Sequence, residues 1–175
     1  GTHGHVEPDA VVTTVAYETR AKVSPPLRSL SDQAALIEAL RDGTIDAIAT
    51  DHAPHTFGDK AAPFDEAPNG ISVLDTAFGM LMGLVHTGEL ELSTLVHRLT
   101  AGPASVLGDR FAELATLAEG TSADLVLLDL DEEWKVDSKN FASKGRNTPL
   151  EGDTLRGRVK LTIAGGKIAY DGLSG

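Results

Sequence analysis

The feature that most constrains the fold is the run Ile45, Asp46, Ala47, Ile48, Ala49, Thr50, a short apolar segment that ends at Asp51. Short apolar runs between turn signals form buried parallel strands, covered on both faces. The preceding segment fits this reading. From Asp32 the apolar residues Ala35, Leu36, Ala39 and Leu40 recur at helical spacing, and Gly43 follows as a stop signal. The spacing predicts a helix of about three turns, then a tight turn, then a strand. In open α/β sheets and α/β barrels, functional side chains gather where strands end at the carboxyl edge. Asp51 is at such a place.

The stretch up to Arg28 reads as loop with one short strand, closed by the turn pair Pro25 and Pro26. His52 to Gly70, rich in Pro, Gly and charge, is too polar for a core element. A second helical pattern runs from Val73 through Leu74, Ala77, Phe78, Leu81 and Leu84, and a shorter one from Leu92 to Thr100. Beyond Gly102 the chain turns β-rich. Ala123 to Leu130 is an apolar run, and Arg158 to Ala164 and Lys167 to Tyr170 flank Gly165 and Gly166, a hairpin signal. The shift predicts a division into residues 1–105, mixed α and β, and residues 106–175, a helix and mostly strands.

A length of 175 residues suits one domain or a part of something larger. The composition, 41% hydrophobic and 23% charged, is that of a globular protein, and no apolar run approaches the ~18 residues of a membrane span. With 26 acidic against 15 basic residues the net charge is −11, which repels nucleic acid and anionic membranes. There is no cysteine, so a transition metal has only His and carboxylate to bind it. That absence fits the cytoplasm. Gly1 to Ala10 lacks the pattern of a signal peptide and an initiator Met, and a truncated or processed start is expected.

Asp51 with His52 and His55 is a ligand set suited to zinc, with a carboxylate able both to bind metal and to exchange protons. On spacing alone, a turn-capping aspartate beside two surface histidines accounts for the pattern equally well.

The surrounding residues separate the two readings. Ile45 to His55, I-D-A-I-A-T-D-H-A-P-H, resembles the end of the eighth barrel strand in dihydroorotases of the amidohydrolase superfamily. Lys22 to Arg28, K-V-S-P-P-L-R, is similar to their K-V-N-P-P-L-R loop. Ala67 to Ile71, A-P-N-G-I, is similar to A-P-F-G-I, and Ser143 to Pro149 reads S-K-G-R-N-T-P as theirs does. The matches keep their order over almost the whole chain. The resemblance implies an α/β fold: the carboxy-terminal part of a (β/α)8 metal-dependent hydrolase barrel plus part of a small β-sandwich. It implies two zinc ions whose other ligands, a His-x-His, a carboxylated Lys or Asp and two further His, are not in this sequence. His3 and His5 are read as loop, because no apolar strand precedes them.

By resemblance Asp51 ligates zinc and is the general base, and His55 binds the substrate carboxylate. Asn69 and Gly70 contribute backbone groups to the substrate. Ser24 stands where the family has a substrate-binding Asn, so a shorter hydroxyl replaces an amide. His52 is read as a supporting or packing residue, Lys22 and Arg28 as loop-shaping, and Arg146 and Asn147 as structural. His86 and His97 are read as helix residues, and Trp134 as packing.

The implied reaction is the zinc-dependent interconversion of dihydroorotate and N-carbamoyl-aspartate, a step of pyrimidine synthesis. The implied partners are the missing amino-terminal part of the enzyme, further copies in a homo-oligomer, and aspartate transcarbamoylase. The 175-residue chain alone is expected to be inactive. A hydantoinase or allantoinase is the rival within the same chemistry, and His55 argues against it. A non-catalytic subunit supporting aspartate transcarbamoylase is the rival outside it, and the retained Asp51 argues against that.

Overall fold

The computed structural model describes residues 17–173. His3 and His5 lie outside them. The chain folds as two compact units. Of the described residues, the first gathers residues 17–35 with Asp51–Asp75 and Asp137–Glu151; the second gathers Leu36–Thr50, Thr76–Val136 and residues 152–173.

The expected helix is α1, Leu30–Asp42. Ser29 Oγ accepts the Asp32 N–H at its start, Asp32 lies in the first turn and Arg41 in the last, so both ends complement the helix dipole. The second unit adds α3, Ala77–His86, α4, Leu92–Leu99, and α5, Ala101–Leu107; α2 is the short helix Phe57–Lys60 of the first unit. Helix α3 begins four residues later than the Val73 of its sequence pattern, because the N–H groups of Val73 and Leu74 donate to a side chain, His52 Nδ1. Helical structure also continues past Thr100. Pro103 stands in the first turn of α5, where a missing N–H costs no intrahelical bond.

The core of the second unit is Leu40, Met82, Leu90 and Leu95, with Ile45, Ile48, Phe78, Leu81 and Leu130 among the residues packed against it. Ile45 and Ile48 therefore pack partly buried against the core, but Ala49 is exposed and the backbone is not a strand. A parallel ladder needs a strand alongside, and the described residues hold one sheet, made of three antiparallel strands elsewhere in the chain. The Ile45 N–H donates instead to Ala39 O at 2.9 Å, and the Ile48 N–H to Arg98 O at 2.9 Å.

That sheet consists of β1, Leu125–Lys135, β2, Thr154–Ala164, and β3, Lys167–Asp171, in the order β1-β2-β3. Strands β2 and β3 form the hairpin expected around Gly165 and Gly166. Trp134 packs as expected, and its ring N–H donates to Gly157 O at 3.0 Å. The fold is thus a mixture of helices and strands. Among the described residues no helix is long and apolar enough to cross a membrane.

Candidate active site

All five residues singled out from the sequence, Ser24, Asp51, His55, Asn69 and Gly70, fall in the first unit. Asp51 opens the loop with a backbone φ of 46°. This left-handed conformation is uncommon for a residue with a side chain, although Asp and Asn tolerate it better than most. Such strain is found at functional positions. The Asp51 and Ser24 side chains are both exposed.

His52, directly after Asp51, is fastened from two sides. Its Nδ1 accepts the backbone N–H of Val73 at 3.0 Å and of Leu74 at 3.2 Å, and its Nε2 lies 3.2 Å from Ser143 Oγ. A nitrogen that accepts two N–H groups carries no hydrogen, so the ring is held as the Nε2–H tautomer. With both nitrogens engaged it is a structural brace beside Asp51, as the sequence reading proposed.

His55 Nε2 lies 2.8 Å from Asn69 O. A carbonyl oxygen only accepts, so Nε2 carries the hydrogen. Donation to an anion then requires either that the anion replace Asn69 O or that Nδ1 take up a proton. The His55 backbone N–H donates to Asn147 Oδ1 at 2.7 Å.

Gly70 lies under this histidine with φ 129°. A Cβ there would stand 2.6 Å from Ala53 O and 3.0 Å from His55 Nε2, so only glycine fits. Its N–H donates to Lys22 O at 2.9 Å, and its carbonyl accepts from Lys60 Nζ at 3.0 Å and from Asn147 Nδ2 at 2.9 Å. Both backbone groups of Gly70 are therefore engaged within the unit.

Two lysines that the sequence reading left as loop-shaping or did not single out hold this loop from beneath. Lys60 is only 5% exposed, and its ammonium also donates to Pro68 O at 2.8 Å. Burial, and then the charge of Lys22, push its pKa down. The Lys22 ammonium donates to Phe64 O and Ala67 O, each at 2.6 Å, and stands 5.2 Å from the Phe64 ring centre. A cavity of about 400 Å³ within the same unit is lined by Arg20, Phe57, Lys60, Ser138, Arg146 and Asn147, and contains none of the five residues singled out from the sequence.

Asn147 was read as structural from the sequence, yet it touches two of those five residues. Its segment, far along the chain, gives no local signal of this.

For metal binding, Asp51 offers one carboxylate, while His52 and His55 Nε2 are committed to hydrogen bonds. Among the described residues no group of three or more His, Asp or Glu could hold an ion. These residues alone do not make a catalytic zinc site, which takes three protein ligands.

The Amidohydrolase family profile matches residues 3–169. The chain is 50% identical over 163 residues to a dihydroorotase of Anaeromyxobacter dehalogenans, covering 93% of this chain and 37% of that protein. It is 48% identical over 155 residues to a dihydroorotase of Caldanaerobacter subterraneus, covering 88% and 35%. Among solved structures it is similar to an L-hydantoinase of Arthrobacter aurescens, at 34% identity and a TM-score of 0.76 over 86% of this chain and 34% of that one. A D-hydantoinase of Thermus sp. matches at 29% identity and a TM-score of 0.77, over 87% and 34%. The chain spans little more than a third of the length of these curated relatives.

Proposed function

The chain belongs to the amidohydrolase family, and we propose that its Asp51 to Gly70 loop serves a dihydroorotase, which opens the cyclic amide of dihydroorotate to N-carbamoyl-aspartate and closes it again. The observation that carries this reading is the 50% identity over 163 residues to a protein named dihydroorotase, well above the 29–34% to the hydantoinases named above. The hydantoinase likeness supports the shared fold and the wider class of cyclic amide hydrolysis.

In this reading Asp51 is the proton carrier. Its carboxylate takes a proton from the attacking water as the oxygen bonds to the amide carbon. It then hands that proton to the ring nitrogen as the C–N bond breaks. Ring closure runs the same transfers backwards. His55 receives the substrate carboxylate, Ser24 donates a hydroxyl in place of an amide, and the Asn69–Gly70 turn forms the floor on which the ligand rests. Two zinc ions are assigned on the family likeness, with Asp51 as the described ligand, and bound zinc would supply electrophilic activation of the carbonyl and the water. The remaining ligands are assigned to segments other than the described ones, as part of a (β/α)8 barrel with a small β-sandwich beside it. The division at residue 105 marks the passage between the two. A cytoplasmic homo-oligomer, with aspartate transcarbamoylase as a further partner, completes the proposal.

The test is turnover by a full-length enzyme carrying this chain, with dihydroorotate, hydantoin and allantoin offered in parallel. Dihydroorotate is expected to give the highest kcat/KM. Preferred turnover of hydantoin or allantoin would reassign the site, and no turnover of any of them by metal-loaded protein would remove the enzymatic reading.

A further inference from the structure

We infer that Asn147 is a positioning residue for substrate binding, which fixes the His55 backbone and the Gly70 turn in one register through the two ends of a single side-chain amide. This rests on the reading of His55 as the residue that meets the substrate carboxylate. Asn147 is 6% exposed, and both ends of its amide are engaged. Its Oδ1 accepts the His55 N–H at 2.7 Å, while its Nδ2 donates to Gly70 O at 2.9 Å. Asn147 also takes the Ser72 N–H on its own carbonyl at 2.9 Å. A neutral amide presents an acceptor and a donor on one short, rigid fork, which an ionised carboxylate of the same length does not, so it can link an N–H to a carbonyl.

The link is the last of a series. The segment from Ala142 to Asn147 meets the loop from His52 to Asp75 at successive positions. The Ala142 N–H donates to Asp75 Oδ1 at 2.8 Å, Ser143 Oγ meets His52 Nε2, and Gly145 O accepts from Ser72 Oγ at 2.7 Å. At Gly145 a Cβ would overlap Pro54 Cβ, so the two segments run in van der Waals contact. Of these contacts Asn147 alone bears on both His55 and Gly70. The imidazole direction follows from the His55 backbone and from Asn69 O, the carbonyl directly before Gly70. Releasing Asn147 therefore removes one hold from each support of the ring at once, the Gly70 turn keeping its bonds to Lys22 and Lys60, and a misplaced donor loses much of its value to a bound anion.

The test is a double-mutant cycle in a full-length enzyme carrying this chain, reading KM and kcat for dihydroorotate. Asn147→Ala is expected to raise KM roughly tenfold, in line with a buried hydrogen-bond partner lost, with kcat little changed. Added to His55→Ala, it is expected to change KM no further. If Asn147→Ala does not fold, Asn147→Asp takes its place in the cycle, since it keeps the size and the acceptor for His55 and exchanges the donor to Gly70 for a carboxylate oxygen that repels Gly70 O. KM effects that multiply in the double variant would overturn the inference, as would a fall in kcat at unchanged KM. A raised KM in His55→Ala with no change in the Asn147 variants overturns the inference alone. An unchanged KM in His55→Ala removes the role of His55 and the inference with it.

Discussion

The ammonium of Lys60 and the side-chain amide of Asn147 converge on one atom, the carbonyl oxygen of Gly70, at 3.0 and 2.9 Å. Lys60 comes from α2, inside the same loop as Gly70, whereas Asn147 lies 77 residues further along the chain. A local and a distant element thus hold the same turn. The turn in turn carries Asn69 O, the partner of the His55 ring. Polar groups and backbone carbonyls therefore hold this turn from below.

Lys60→Met is the direct probe of the local half. Methionine keeps most of the apolar stem and removes the charge, leaving Pro68 O without the Lys60 donor and Gly70 O with Asn147 Nδ2 as its remaining one. Hydrogen bonds to charged groups contribute about 1.5–3 kcal/mol each in measured series, offset here by the cost of burying the ammonium. A net loss of roughly 2 kcal/mol is expected in urea denaturation of the full-length protein. An unchanged midpoint would mean that burial and bonding cancel.

Acid is expected to loosen α2. Thr56 Oγ1 donates to Asp59 Oδ2 at 2.6 Å, the Thr56 N–H reaches the same oxygen at 3.1 Å, and the Asp59 N–H returns to Thr56 Oγ1 at 3.2 Å, a capping box. The Thr56 hydroxyl, and then its N–H, hold the Asp59 carboxyl below its ordinary range. The folded pKa lies below the unfolded one, so this contribution is complete above the unfolded value of ~3.9 and is lost as pH falls through the folded value. Amide protection at Asp59 and Ala61, the exchange rate taken relative to the intrinsic rate at each pH, is expected to fall over that acid interval, and Asp59→Asn to abolish this pH dependence of protection. Protection that does not respond to acid would show that the box does not hold the helix.

How much of this was legible in the sequence depends on the range over which each feature is encoded. Helix α1 and the β2–β3 hairpin follow from neighbouring residues, the apolar spacing before Gly43 and the pair Gly165–Gly166. Ile45 and Ile48 were readable as side chains that pack on the core, but the segment was not readable as non-strand, since a ladder depends on whatever lies alongside. Lys60 was invisible because its acceptors are backbone carbonyls, which every residue has. Asn147 was readable as structural but its partners were not, because His55 is 92 residues away. A buried amide bridging two loops has no local pattern. The one available hint was that S-K-G-R-N-T-P matched the same family as the loop it binds.

Gly70→Ala tests the close approach beneath His55. The new Cβ would meet Ala53 O at 2.6 Å and Ala53 Cβ at 2.7 Å, at a φ of 129° that alanine avoids. Relief requires the turn to move, which breaks at least one of the bonds from Lys22, Lys60 and Asn147. Strained backbone of this kind costs about 1–3 kcal/mol. A lower melting temperature together with a higher KM is expected. Unchanged values of both would show that the turn has room the geometry denies.

The last prediction concerns Asp51. Asp51→Asn in the full-length enzyme is expected to fold normally, because asparagine tolerates a φ of 46° as well as aspartate does and the side chain is exposed. Stability should therefore change little, which separates chemistry from structure. Asparagine keeps the size and one oxygen able to bind metal, but it cannot take a proton from water or return one to the leaving nitrogen. The loss belongs in kcat more than in KM, since substrate binding is assigned to His55 and its neighbours. General acid–base groups contribute ~10²- to 10⁴-fold, and a residue that also holds metal belongs at the upper end. His55→Ala is the contrasting variant, with KM raised and kcat largely kept. Steady-state kinetics on both, with metal content measured, separate the roles. A metal-loaded Asp51→Asn enzyme with near-normal kcat would show that the proton moves through another group.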